Sequence, residues 1–498
     1  MANQVKKTDT VFNIIDFGAI PDGKTLASGA FAAAVQACVE AGGGTVYVPA
    51  GNFLSGPIHL QSNTTLNLDA GAKIFFSQDP KDYPVVYSRW EGENCEVYSP
   101  LIYGKGLENV AVTGRGVLNG QGGPWWQWHR EKSLAYPRPR FICFEDSNNV
   151  LIEGIKLINS PAWTINPINC ENLTVNKITI KNPADSPNTD GIDPESCKNV
   201  HISNCHVDVG DDCIAIKSGI ERCKDKIPCE NITITNCTMV HGHGGVVIGS
   251  EMSGGVRNVA ISNCVFEGTD RGIRLKSRRG RGGVIEDIRV NNIVMKGLIC
   301  PFVLNLYYFC GQGGKDKVVW DKNPYSVTEA TPVFRRIHFS NITAREISAA
   351  AGFMYGLPEM LLEEITFDNV SVHLAEDGEP DTPAMMSNLE PMKQTGFFCC
   401  NVKDVTFNNV KVSGHTGVAY QVENSKDIEF SRCSAVGGGN QPLISMDGVI
   451  RGSVKGCKIS EEQNAILELK GTGNQNIEYE GKKEYLQFTQ GASENSLS

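Results

Sequence analysis

A chain of 498 residues, 41% hydrophobic and 20% charged, can bury a sizeable core, and it has no run of 18 or more apolar residues that would cross a membrane as a helix. A net charge of −10 argues against nucleic acid as a partner, while leaving an acidic ligand open because a local basic patch overrides the global sign. The 52 glycines exceed the usual share of ~7%, which suits a fold with many tight turns.

Residues 1–10 read as a polar lead-in without the apolar core of a signal peptide, so the sequence predicts a cytoplasmic protein unless an export signal has been trimmed away. Val11–Phe17 reads as a strand and Ala19–Lys24 as a turn. Ser28 is placed to cap a helix over about Gly29–Glu40, with Phe31, Ala34, Val35 and Cys38 on one face and Gly42-Gly43-Gly44 as its stop. This is the one persuasive amphipathic helix in the chain. Its expected role, over about 28–41, is to cover the open end of a stack of strands.

From Gly44 onward short strands alternate with turns. One signature recurs, a polar residue followed by Val or Ile, any residue and an apolar residue. It begins at Asn109, Asn149, Asn172, Asn199, Asn231 and Asn258, and again at Asp287, Arg336, Glu364, Asp404 and Asp427. Successive starts are 23 to 49 residues apart, a loose period that fits solenoid turns carrying loops of different length. Alternation within each copy turns the Val/Ile side chains inward. The sequence therefore predicts an all-β fold, a single-stranded right-handed parallel β-helix over 11–487, with 488–498 as a flexible tail. The Asn-x-Thr/Ser matches at Asn172, Asn231, Asn341 and Asn369 follow from the same repeat and are read as structural turns.

Among 17 cysteines, Cys205, Cys237 and Cys264 each follow an Asn at the same repeat position, as an interior column of small apolar side chains would. Cys223 and Cys229 are the one pair spaced for a local bridge. No Cys/His grouping has zinc spacing, and neither a metal nor a cofactor is expected.

Two insertions stand out, one with Trp125, Trp126 and Trp128, the other with Tyr307, Tyr308 and Trp320. Both are expected to be loops beside a groove. For Trp125, Trp126 and Trp128 a sugar-facing platform and simple loop packing weigh equally, and for Trp320 packing weighs more.

Four patches carry chemistry: Asn188-Thr189-Asp190-Gly191, Gly210-Asp211-Asp212, Gly242-His243-Gly244 and Arg274-Leu275-Lys276. Their spacings of 21, 31 and 31 residues match solenoid turns, whose strands stack ~4.8 Å apart, so these side chains can converge. Adjacent Asp211 and Asp212 can both reach solvent only where the strand bends, which Gly210 permits. Three carboxylates together hold a proton at higher pH than one alone, supplying an acid beside ionised bases as glycoside hydrolysis requires. Alternation puts Arg274 and Lys276 on one face, suited to a sugar carboxylate. Arg278, Arg279 and Arg281 read as peripheral charges that steer a polyanion.

These ordered motifs, with Phe17–Thr25 and Gly42–Gly51 near the start, resemble the polygalacturonase family of inverting glycoside hydrolases, across roughly residues 11–460. The resemblance implies a right-handed parallel β-helix that acts on α-1,4 bonds of galacturonate-containing oligo- or polysaccharides. It implies Asp211 as general acid, Asp190 and Asp212 as holders of the water, and His243 as support for the acid. Arg274 and Lys276 would bind the galacturonate carboxylate, with either Tyr307 or Tyr308 near the product side; Asn188 and, from the loop reading, Trp126 are further candidates for contact with the substrate. Leu275 departs from the family's Ile at that place. A cytoplasmic member would trim imported oligomers from an end, so exo-action is expected, with the loops around Trp125 and Trp320 closing one end of the groove. Galacturonate–rhamnose linkages, a calcium-dependent lyase and a non-catalytic sugar-binding β-helix are the competing readings.

Overall fold

The computed structural model describes residues 10–460 and 463–498. Its chain folds as a right-handed parallel β-helix. By their contacts the residues fall into two compact units, one running to Ala215 with Cys229–Cys237, the other comprising Ile216–Pro228 and Thr238 onward.

In the first unit, strands Glu108–Gly114, Asn148–Glu153, Glu171–Asn176, Lys198–Ser203 and Cys229–Thr235 pair in parallel. Val110, Val150, Leu173, Val200 and Ile232 stand in one column, and Val112, Ile152, Val175, Ile202 and Ile234 in the next, all buried. The period-2 alternation of the sequence is thus converted into an interior stack. In the second unit the corresponding column is aromatic: Phe339, Phe367, Phe407 and Phe430 stack successively with ring centroids 4.7, 5.1 and 4.9 Å apart and planes within 15°. In-register parallel strands impose that spacing, so identical rings meet face to face over their offset edges.

Every predicted start of the repeat, from Asn109 to Asp427, adopts a positive φ between 53° and 59°. The signature residue is therefore the left-handed bend that turns the chain into each strand. Asn tolerates this conformation because its short amide bonds locally. Here the amides also bond from turn to turn: Asn172 donates to Asn148, Asn199 to Asn172 and Asn231 to Asn199, at 2.8–3.1 Å. Asn341 and Asn369 form the same kind of bond at 2.7 Å, so the sequon-like matches are turn residues.

The first helix, α1, spans Ser28–Glu40 and buries Phe31, Ala34, Val35 and Cys38 as expected, packing on strands Val11–Asn13 and Gly44–Val48. Ser28 does not cap it. Ala27 holds that place, and the Ser28 hydroxyl instead accepts a hydrogen bond from Gly56 N at 2.7 Å, tying the helix to a strand turn. The strand expected over Val11–Phe17 stops at Asn13, where Ile14–Phe17 tightens into a 3₁₀ turn. The polar lead-in lies outside the described residues except for Thr10, whose carbonyl accepts from Thr45 N.

The tail expected to be flexible is instead laid against the last turn. Leu486–Thr489 pairs with Leu467–Lys470, Leu497 bridges Ile477, and Ser496 is buried. The tryptophan insertion is not a loop either. Gly123–Glu131 forms a second helix, α2, with Pro124 in its first turn, where a missing N–H costs nothing.

Candidate active site

Asp190, Asp211 and Asp212 belong to the first unit and converge: their nearest carboxylate oxygens all lie within 4.8 Å of one another. The backbone ladder causes this. Ile165, Ile192 and Ile214 bridge in parallel on successive turns, and Asp190 and Asp212 each stand two residues before their isoleucine. They are therefore stacked in register, one strand spacing apart. Asp211 enters from the bend between strands His206–Val209 and Ile214–Ile216. Asp190 and Asp212 are 3% and 1% exposed, while Asp211 is half-buried, so only Asp211 presents its carboxyl toward solvent.

Two glycines make room for the cluster. A Cβ on Gly210 would fall 2.6 Å from the carbonyl oxygens of Pro183 and Ser186, and one on Gly191 would fall 2.4 Å from Cys213 O. Gly210 is thus required by close approach of backbone, beyond the bend it was expected to permit.

Close to the cluster lies a residue that no motif or repeat position marks. Arg138, 1% exposed, donates to Pro161 O at 3.0 Å and to Pro187 O and Asn188 Oδ1 at 2.7 Å. Burial pushes its guanidinium down to about 10, against the pull of Glu91, Asp190 and Asp211, so it remains a cation at neutral pH. It fixes Asn188, at φ 51°, and sets positive charge beside the aspartates. A cluster of oxygens this close also has the geometry to hold a hard divalent cation.

The second unit carries the remaining predicted residues. His243 Nδ1 lies 2.7 Å from Asp270 Oδ2, and Asp270 also pairs with Arg271 at 3.2 Å. Burial raises the Asp270 carboxyl, but the hydrogen bond from His243 and the charges of Arg271 and Arg274 outweigh it and hold the group below its ordinary range. Asp270 was not anticipated. It sits in the gap before Arg271, where nothing in the repeat marks it.

Arg274 and Lys276 alternate with the core residues Ile273 and Leu275 on strand Arg271–Lys276, as expected. Leu275 replaces one buried aliphatic by another. The two cations lie 5.8 and 5.2 Å from the centroid of the Tyr308 ring. Tyr307 points the other way, fully buried, with Lys322 Nζ 3.2 Å from its ring centroid. Tyr308, and not Tyr307, is thus the tyrosine beside the predicted carboxylate-binding pair.

Two expectations fail here, the surface role of the three arginines and the sugar-facing role of Trp125. Arg278, Arg279 and Arg281 are only 4–5% exposed and do not steer anything from the surface. Arg278 and Arg281 pair with Glu221, and Arg279 pairs with Glu359. Trp125 is wholly buried among Tyr83, Tyr98 and Trp128, a packing anchor for α2. Trp126 is half-buried and spends its indole N–H on Ser160 O at 2.9 Å. The cysteines keep their thiols: Cys223 Sγ accepts from Ile220 N and Cys229 Sγ from Cys197 N.

A parallel β-helix whose first unit gathers three carboxylates, one of them half-exposed, carries the groups that glycoside hydrolysis requires. The family model for glycosyl hydrolases family 28 matches residues 38–376, and the chain belongs to that family. A probable polygalacturonase of Vitis vinifera is 36% identical over 375 residues, covering 73% of this chain and 74% of the relative. An endo-polygalacturonase of Pectobacterium carotovorum is 34% identical over 274 residues, covering 51% and 65%. Among solved structures, the hyperthermoactive exopolygalacturonase of Thermotoga maritima is similar at 34% identity and a TM-score of 0.66, covering 80% of this chain and 92% of the other.

Proposed function

We propose that this chain hydrolyses the α-1,4 bonds of polygalacturonate or its oligomers, working from a chain end. The clustering of Asp190, Asp211 and Asp212 within 4.8 Å carries the hydrolytic part. Asp211, the one with solvent access, is the general acid that protonates the leaving oxygen. Asp190 and Asp212, stacked and buried, hold and deprotonate the attacking water. By the family pattern His243 supports the acid, and here Asp270 would fix its tautomer through Nδ1. Arg274 and Lys276 take the uronate carboxylate, with Tyr308 covering them.

Inversion usually needs acid and base carboxyls ~6.5–9.5 Å apart, with water between them. The contacts in this cluster are shorter, so we place the water to one side, between Asp190 and Asp212. Proton NMR of the newly formed anomer tests this, and a retained configuration would overturn it.

Exo-action is supported by a wall within the second unit. Asn305, one strand beyond Lys276 in register, donates to Met385 O. Tyr308 bridges Met386, and Arg271 donates to Thr382 O at 2.6 Å and to Pro383 O at 3.2 Å. The segment around 381–392 thereby covers the face just past the cation pair. The sequence had assigned the wall to the loops around Trp125 and Trp320, but Trp125 is core, and the reading rests instead on the segment around 381–392. Digestion of a defined galacturonate oligomer tests the assignment: early release of one small product supports exo-action, and a ladder of sizes rejects it. Asp211→Asn should lose ~10²–10⁴ in rate. A chelator should leave activity unchanged; loss on chelation would turn the carboxylate cluster into a metal site.

The buried thiol columns support a reducing compartment such as the cytoplasm. Fractionation of the source cells tests that placement, and recovery of the enzyme outside them would reject it.

A further inference from the structure

The first unit holds a cleft of about 560 Å³ that none of the roles above uses. Trp90, Trp128, His129, Arg130, Lys132 and Arg138 line it. Trp90 is braced from behind by Trp163, stacked at 4.9 Å with planes 18° apart. Trp128 stands edge-on to the buried Trp125 at 5.3 Å. Both rings are held in place while remaining partly exposed.

The charge of the lining is one-sided. Three cations and an imidazole face the space, and among the described residues no carboxylate lines it. Burial, together with the positive charges of Arg138 and Arg130, lowers His129 below the ordinary imidazole value. Arg130 spends one N–H on Asp185 O and makes no ion pair among the described residues. Glu91, Asp190 and Asp211, which pull on Arg138, lie outside the lining.

The cleft also adjoins the carboxylate cluster. Arg138 forms part of its wall and donates to Asn188, two residues from Asp190, while Pro187, another acceptor of Arg138, lines the cleft as well.

We propose that this cleft is a second sugar subsite, selective for a uronate unit one or more sugars from the bond cleaved. The apolar face of the sugar ring lies on Trp90 or Trp128, and its carboxylate takes charge-assisted hydrogen bonds from Arg130 and Lys132. A neutral hexose could use the rings but would leave the cations unmatched. This rests on the galacturonan reading of the substrate, and the test separates the two.

Calorimetric titration of Asp211→Asn protein with galacturonate oligomers, and with neutral galactose oligomers of the same lengths, measures the uronate preference. Adding Arg130→Ala and Lys132→Ala, both at exposed positions, should weaken uronate binding about tenfold or more and erase most of the preference. Trp90→Ala should weaken uronate binding too, with Trp90→Phe restoring it. Affinities within twofold of the parent in both the charge variant and Trp90→Ala would overturn the subsite. If the unmutated enzyme cleaves galacturonan and those affinities do not move, the subsite falls and the substrate reading stands. If it cleaves no galacturonan, yet the oligomers bind and the variants weaken them, the subsite stands and the substrate reading falls.

Discussion

Arg274 and Lys276 and the trio Arg278, Arg279 and Arg281 belong to one basic run, yet the two groups do different things. The first two lie on a strand, where alternation with Ile273 and Leu275 sends both to one face beneath Tyr308. The trio lies in the chain leaving that strand, where no periodicity governs direction. Each of its members turns inward to an acid or to backbone carbonyls. Arg279 alone reaches Glu359 at 2.6 and 2.9 Å and the carbonyls of Val318, Asp321 and Asn323. It pins the insertion that carries Tyr307 and Tyr308. Neighbouring positive charges, all of them nearly buried, thus divide into a pair beneath Tyr308 and a set of struts.

Removing a strut should produce the largest effect. Arg279→Ala leaves Glu359 buried without its partner and should cost about 3–5 kcal/mol of stability, read from denaturant unfolding. Next, Arg274→Ala should lower kcat/KM by roughly a hundredfold, about 3 kcal/mol, with a smaller loss of stability than Arg279→Ala. If instead Arg274→Ala unfolds the chain and Arg279→Ala spoils only turnover, the division is wrong.

A smaller effect separates the two tyrosines. Tyr308→Leu should raise KM several-fold, within the ~0.5–2 kcal/mol of a cation–π contact. Tyr307→Leu should lower stability and leave KM alone, because its ring lies against Lys322 and Tyr355 in the interior.

The smallest effect concerns acid stability. Because Asp270 titrates below its ordinary 3.8 when folded, its contribution is present above that pH and disappears as pH falls through the lowered value. His243→Ala removes a group that lowers it, while burial continues to push it up. The melting temperatures of wild type and variant should differ near pH 6 and approach each other below pH 3.8. A gap that stays constant on acidification would show that the His243–Asp270 contact has no part in it.

The strands and their bends were legible because each turn repeats the same local requirement. A residue that tolerates positive φ precedes an alternating apolar pair, and every predicted start of the repeat is such a bend. The three aspartates were legible for the same reason, since register on stacked turns follows from spacing. Arg138 and Asp270 were not, because each works through a contact made far along the chain and neither falls on the repeat. The tryptophan segment misled for a related reason: Trp125 and Trp128 look alike in sequence, but α2 turns one into the core and the other toward the cleft.

By itself the sequence determined the fold, the α1 cover and the set of carboxylates and cations, all of which depend on periodicities that a chain must satisfy locally. Only the tertiary structure decided which of two adjacent tyrosines meets Arg274 and Lys276, which arginines are struts, and where the wall past Asn305 stands. Those outcomes depend on insertions folding back over the turns. Their anchoring groups are brought together by hydrogen bonds between residues as distant as Arg271 and Thr382, which no local pattern encodes.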